Sequence, residues 1–121
     1  MQTNLKNEML EECSCNPMTG YYRDGLCRTG EDDFASHTVC VVLTKDFLKY
    51  SKLMENDLST PIPEYNFPGL KEGDRWCLCA ARWKEAYKAG MAPYIIPEST
   101  SIKALEIVDL EMLEKYYFKE K

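Results

Sequence analysis

Six cysteines, at positions 13, 15, 27, 40, 77 and 79, and a single histidine, His37, are the residues of this 121-residue chain best suited to chemistry. Cys77-Leu78-Cys79 is a C-x-C pair, not the C-x₂-C spacing with which two thiolates grip one zinc ion. On a helix the two side chains point about 200° apart, so one ion does not take both; on an extended segment they share a face. The helical pattern from Asp74 to Ala89 favours the first case. It puts Cys79 on a buried stripe with Trp76, Ala80, Trp83 and Tyr87, and Cys77 in the first turn beside Arg75 and the positive end of the helix dipole. A thiol so placed gives up its proton readily. Cys77 is therefore the expected catalytic or redox thiol, with Cys13, Cys27 or Cys40 as resolving partner. The same thiolate is a metal ligand, and Cys13, Cys27, Cys77 and His37 make a candidate zinc set if the N-terminal segment folds over the helix start, although their spacings resemble no zinc knuckle or ribbon. Against both stands plain packing: free cysteine is commonly a small buried apolar side chain, and a lone histidine commonly hydrogen-bonds across a strand end.

A second set of chemistry-bearing residues is polar. Arg23-Asp24, Asn56-Asp57, Ser59-Thr60 and Asp74-Arg75 fall in turn-rich stretches, where sites usually lie. Arg23, Arg75 and Arg82 carry the planar fork that holds a carboxylate or phosphate, and a helix opening after Asp74 offers free N–H groups. The loops at 16–25, 56–61 and 73–76 are thus expected to form a pocket for a small anionic metabolite, with Arg23, Asp24, Asp57, Ser59, Thr60, Asp74, Arg75 and Arg82 as its ligand-binding residues and no cofactor. The competing reading makes these residues backbone plugs, which a long ordered loop needs anyway, in a structural or protein-interaction module. P-loop, GxGxxG, HExxH, GxSxG and EF-hand spacings do not occur, which removes support for nucleotide hydrolysis and the common hydrolases.

The elements that position these residues follow from periodicity. Residues 10–36 contain four turn signals (Asn16-Pro17, Thr19-Gly20, Asp24-Gly25, Thr29-Gly30) and no period. Thr38 to Leu43, TVCVVL, is apolar on both faces and predicts a central, doubly covered strand. Thr44 caps a helix over 44–55 with Phe47, Tyr50, Ser51 and Met54 on one stripe. Residues 56–73 form a long loop. A helix over 75–89 follows and stops at Gly90. Short strands are predicted at 94–96 and 105–108, with a single helical turn between them over 99–104, and a last helix over 110–119. Helices packed on one small sheet give an α+β, two-layer architecture. The length suits one domain over 1–121, with 1–9 as a loose tail.

Composition sets the outer bounds. Twenty acidic against fifteen basic residues leave a net charge of −5, which disfavours nucleic acid and anionic membrane as partners. The longest apolar run, Val39 to Leu43, is far below the ~20 residues that span a bilayer. The opening MQTNLKNEMLEE is polar throughout, and with no export pattern in it a cytoplasmic location and reduced thiols are expected.

Four strings carry a resemblance: Asn16-Pro17-Met18-Thr19-Gly20-Tyr21-Tyr22-Arg23-Asp24-Gly25, Ser36-His37-Thr38-Val39-Cys40, Asn56-Asp57-Leu58-Ser59-Thr60-Pro61, and Gly73-Asp74-Arg75-Trp76-Cys77-Leu78-Cys79-Ala80-Ala81-Arg82-Trp83. In order and spacing, from about Leu10 to Tyr116, the chain resembles the domain of unknown function 2237 family, a group of small, mostly bacterial proteins. The resemblance implies a compact α+β domain and no established activity. Two positions depart from the family pattern: Cys15 stands where a hydroxyl residue is expected, and Leu26 where a second adjacent cysteine is frequent.

Overall fold

A computed structural model describes residues 2–119; Met1, at the head of the expected tail, and residues 120–121 lie outside them. The β-branched run forms strand β1 (Val39–Val42) at the centre of a three-stranded sheet, between β2 (Arg75–Leu78) and β3 (Tyr94–Ile95), both antiparallel to it. Alternation along β1 explains why it is apolar throughout. Val39 and Val41 face the main core, with Trp76 and Leu78 from β2. Cys40 faces the opposite side, where it meets Cys77, its direct partner in the β1–β2 register.

The main core is closed by helices. The Thr44 hydroxyl accepts the Phe47 N–H (3.1 Å) and starts α1 (Lys45–Leu53), which buries Phe47, Leu48 and Ser51. Helix α2 (Ala80–Lys88) buries Ala80, Trp83 and Ala86, and α3 (Leu110–Glu114) buries Leu113. The result is an α+β arrangement of helices against one small sheet, as the periodicity predicts. Trp76, Trp83, Phe47, Val41 and Leu113 are all buried, again as expected. Among the described residues, no helix is long and apolar enough to cross a membrane.

Three elements differ from the sequence expectation. The helix expected over 75–89 divides into β2 and α2, because residues 75–78 are taken up by pairing with β1. Asp74 caps a turn instead of a helix: its Oδ2 accepts the Lys71 N–H at 3.0 Å. The helical turn expected over 99–104 continues as a 3₁₀ helix over Ile102–Glu106, which replaces the start of the strand expected at 105–108; it is opened by the Ser101 hydroxyl, which accepts the Lys103 N–H at 3.1 Å. Helix α3 ends five residues early because the chain turns back onto β3, where Ile95 N–H donates to Tyr116 O and Phe118 N–H to Ile95 O, each at 2.8 Å. Tyr116 then stacks edge-on against Trp83.

The N-terminal third is irregular but tied down. Fully buried Asn4 accepts from the Lys6 and Glu8 N–H groups through Oδ1 and donates to the Met9 and Glu98 carbonyls through Nδ2. Two disulfides fasten the next segment, Cys13–Cys40 to β1 and Cys27–Cys77 to β2. The sequence favours reduced thiols; the fold instead brings these four cysteines together in one buried cluster.

Candidate functional site

Cys79 follows the last residue of β2 and is the N-cap residue of α2. This is the extended case of the C-x-C pair. Cys77 and Cys79 both line one open cavity of about 510 Å³, whose walls also include Tyr21, Arg23, His37, Asp57 and Trp76. Cys77, expected in the first turn of a helix, instead lies in a strand, is almost wholly buried, and has its sulfur bonded to Cys27. Cys79 and Cys15 are the two free cysteines, and of these Cys79 is the one in the cavity.

His37 sits just before β1 and faces Cys79 across the cavity wall. A buried carboxylate holds it from behind: Asp33 Oδ1 lies 2.7 Å from His37 Nδ1, and Asp33 Oδ2 accepts the His37 backbone N–H and the Thr29 hydroxyl, each at 2.9 Å. Burial pushes the Asp33 carboxyl up, but the bonds from His37 and Thr29 outweigh it and hold it below the ordinary carboxylate range. The neighbouring Cys79, and next the bond with Asp33, raise the His37 imidazolium from 6.5 to about 9 against the opposing effect of burial. The Tyr21 ring stacks on the imidazole at 5.7 Å. Asp33 thus holds the His37 ring, and His37 and the free Cys79 line the same cavity.

The same cavity is lined by a cation. The Arg23 guanidinium stacks over Trp76, 5.2 Å from the ring centre, and one of its nitrogens donates to Gly20 O at 2.9 Å. Arg23 has a φ of 55°, a left-handed backbone that non-glycine residues seldom adopt and that clusters at functional sites. Its turn also requires Gly20, at φ 100°, where a Cβ would collide with the Leu26 carbonyl oxygen.

Of the residues expected to bind an anion, Arg23 and Asp57 line this cavity and the others lie elsewhere. Asp57 is bound up in its own turn: the Thr60 hydroxyl at 2.6 Å, then the Ser59 N–H and hydroxyl at 2.9 Å each, hold its carboxyl down to about 2. Ser59 and Thr60 therefore serve the loop. Asp24 accepts from Arg28 (2.6 Å) and the Leu26 N–H. Asp74 caps its turn, and Arg75 is paired in β2 opposite Val42. Arg82 reaches Glu85 and the Met54 carbonyl, and lines a second groove of about 270 Å³ that touches Cys79 from its other side, with Phe34 at its edge. His37 is separate from the close sulfur group of Cys13, Cys27 and Cys77. The residue that sequence reasoning missed is Asp33. Its signal was the four-residue spacing to His37 within a turn-rich stretch.

A family described as an uncharacterized protein conserved in bacteria (DUF2237) matches residues 3–117. The chain belongs to the DUF2237 family. That description names no activity for DUF2237 proteins. No curated protein matches the chain.

Proposed function

We propose that the cavity is a thiol-dependent catalytic pocket for a small anionic metabolite, with Cys79 as nucleophile, His37 as its charged partner and proton donor, Asp33 as the residue that orients His37, and Arg23 as the anion-binding group. The observation that carries this reading is that His37, held by Asp33, and the free Cys79 line one cavity that also presents a guanidinium. The His37 ring, raised to about 9, already carries a proton at neutral pH; the Cys79 thiol gives its own proton to water beside that charge, and its sulfur bonds an electrophilic carbon of the substrate. The bond from that carbon to the leaving group breaks, and the leaving group departs with the His37 proton. The aromatic walls from Tyr21 and Trp76 suit a substrate whose anionic end meets Arg23 and whose remainder is flat or apolar. The net charge of −5 fits a small substrate better than a polyanionic partner.

The test uses the chain's own comparator. Exposed Cys15 donates to Glu12 at 2.8 Å, and that hydrogen bond pushes its pKa up. With limiting iodoacetamide at pH 7 and peptide mass spectrometry, Cys79 should be alkylated about tenfold faster than Cys15, and His37→Ala should remove most of that advantage. Malonate or phosphate should protect Cys79 in the wild type and not in Arg23→Ala. Equal labelling of Cys79 and Cys15 overturns the nucleophile; protection that survives Arg23→Ala overturns the anion site.

A further inference from the structure

The second cluster of chemistry-bearing side chains lies behind the sheet, outside the His37–Cys79 pair. Cys13, Cys27, Cys40 and Cys77 are each at most 3% exposed and pack together with Ile96 at their edge. Their arrangement has four corners. Cys40 and Cys77 are directly opposed on β1 and β2. Cys13 and Cys27 are held side by side on the loop, because the Cys13 and Ser14 N–H groups both donate to Gly25 O, at 2.7 and 3.3 Å. Each disulfide joins one strand corner to one loop corner, with Cα separations of 5.8 and 5.2 Å. The sulfurs of Cys13, Cys27 and Cys77 lie within 4.8 Å of one another although they belong to two different disulfides. In a tetrahedral tetrathiolate with metal–sulfur bonds near 2.3 Å, neighbouring sulfurs are about 3.8 Å apart. Cys40, bonded to Cys13 and directly opposite Cys77, stands outside that close group, so a fourth ligand requires its side chain to turn inward once its disulfide opens.

We infer that the reduced form of this cluster is a binding site for one thiophilic divalent cation of the zinc type, held by Cys13, Cys27, Cys40 and Cys77. Two equivalents of a dithiol or phosphine reductant each deliver two electrons; the two S–S bonds take up four protons and become four thiols. The cation then displaces those protons as the sulfurs bind it. Soft sulfur donors without oxygen ligands select this class of ion over magnesium or calcium. The site exchanges one kind of cross-link for another: the same four segments are joined pairwise when oxidised and through a common centre when reduced.

The full chain is reduced with a phosphine under nitrogen, freed of excess reductant, and titrated with cobalt(II) and then zinc. One cobalt per chain should bind with the charge-transfer and intense visible bands of tetrahedral thiolate coordination, and zinc should displace it. The oxidised chain should give neither band. Zinc should shield Cys13, Cys27, Cys40 and Cys77 from alkylation in the wild type while Cys15 and Cys79 still react, a readout that needs no variant. Cys15→Ser combined with Cys79→Ala should keep the cobalt spectrum, and Cys13→Ser should weaken it. Octahedral aquo-type cobalt spectra, shielding of Cys79 in place of the four, or loss of the bands in the Cys15→Ser, Cys79→Ala chain would each overturn the site.

Discussion

Replacing Cys79 by alanine removes the group that does most to hold His37 charged. The imidazolium is raised from 6.5 to about 9, first by the neighbouring Cys79 and next by its bond with Asp33. At about 1.4 kcal/mol per pH unit, that displacement is a preference of about 3 kcal/mol for the charged ring. Solvent reduces it, because the side chain keeps 30% of its exposure. His37 is the only histidine, so its ring resonances are unambiguous in an NMR titration. The wild type should titrate near 9. Cys79→Ala should titrate between 6.5 and 9, because Asp33 still holds Nδ1 at 2.7 Å. The sign for stability follows from the raised value: the contribution is complete below about pH 6.5 and is lost as pH rises through about 9. In urea denaturation at several pH values, Cys79→Ala should therefore flatten the fall in stability across that window. A wild-type midpoint at or below 6.5, or one that Cys79→Ala leaves in place, refutes the coupling.

Three further outcomes are expected. Trp83 is fully buried, donates to Pro93 O at 3.1 Å and packs against Tyr87 and Tyr116; Trp83→Ala should cost about 3–5 kcal/mol by urea denaturation, and less than 1 would contradict the core described. Opening the disulfides, with sequence separations of 27 and 50, should each release about 3.5–4 kcal/mol of loop-closure constraint, so the metal-free reduced chain should melt about 10 °C or more below the oxidised one in a calorimetric scan. The fully buried Thr19 hydroxyl accepts the Cys77 N–H at 2.8 Å; Thr19→Val keeps the shape, leaves that donor unpaired and should cost about 1–3 kcal/mol in the same denaturation assay.

What could be read from the sequence divides along physical lines. β1 was legible because a short β-branched run apolar on both faces has few other uses, and α1 because Thr44 and the stripe through Phe47 and Ser51 agree. The segment 75–78 was misread for a definite reason. Trp76, Cys79, Ala80 and Trp83 happen to fall at helical spacing, and only the pairing partner, β1, reveals that Trp76 reaches the core from a strand. That single change moves Cys77 from an exposed first turn into a buried disulfide and moves Cys79 to the cavity. Residues 105–108 have strand-like composition, yet the Ser101 cap and the fully buried Ala104 draw the chain into a 3₁₀ turn. The pairing of the cysteines was not legible at all, since six cysteines allow many connectivities and spacing does not choose among them. In the polar loops, chemical type alone does not distinguish Arg23, which faces the cavity, from Asp24 one residue later, which serves its own turn.

Residues 14–26 run between two cystines, one anchored to each of two neighbouring strands, and this stretch carries both Tyr21 and Arg23 to the cavity wall. A loop of this length would ordinarily have to be ordered by its ligand, and binding would be weakened by that lost freedom. Here covalent bonds at both ends have already removed much of it, so a ligand meets a preorganised guanidinium. On the proposed function, affinity for an anion would depend on sulfur–sulfur bonds the anion never touches, and the redox state of the buried cysteines would set how tightly the pocket grips.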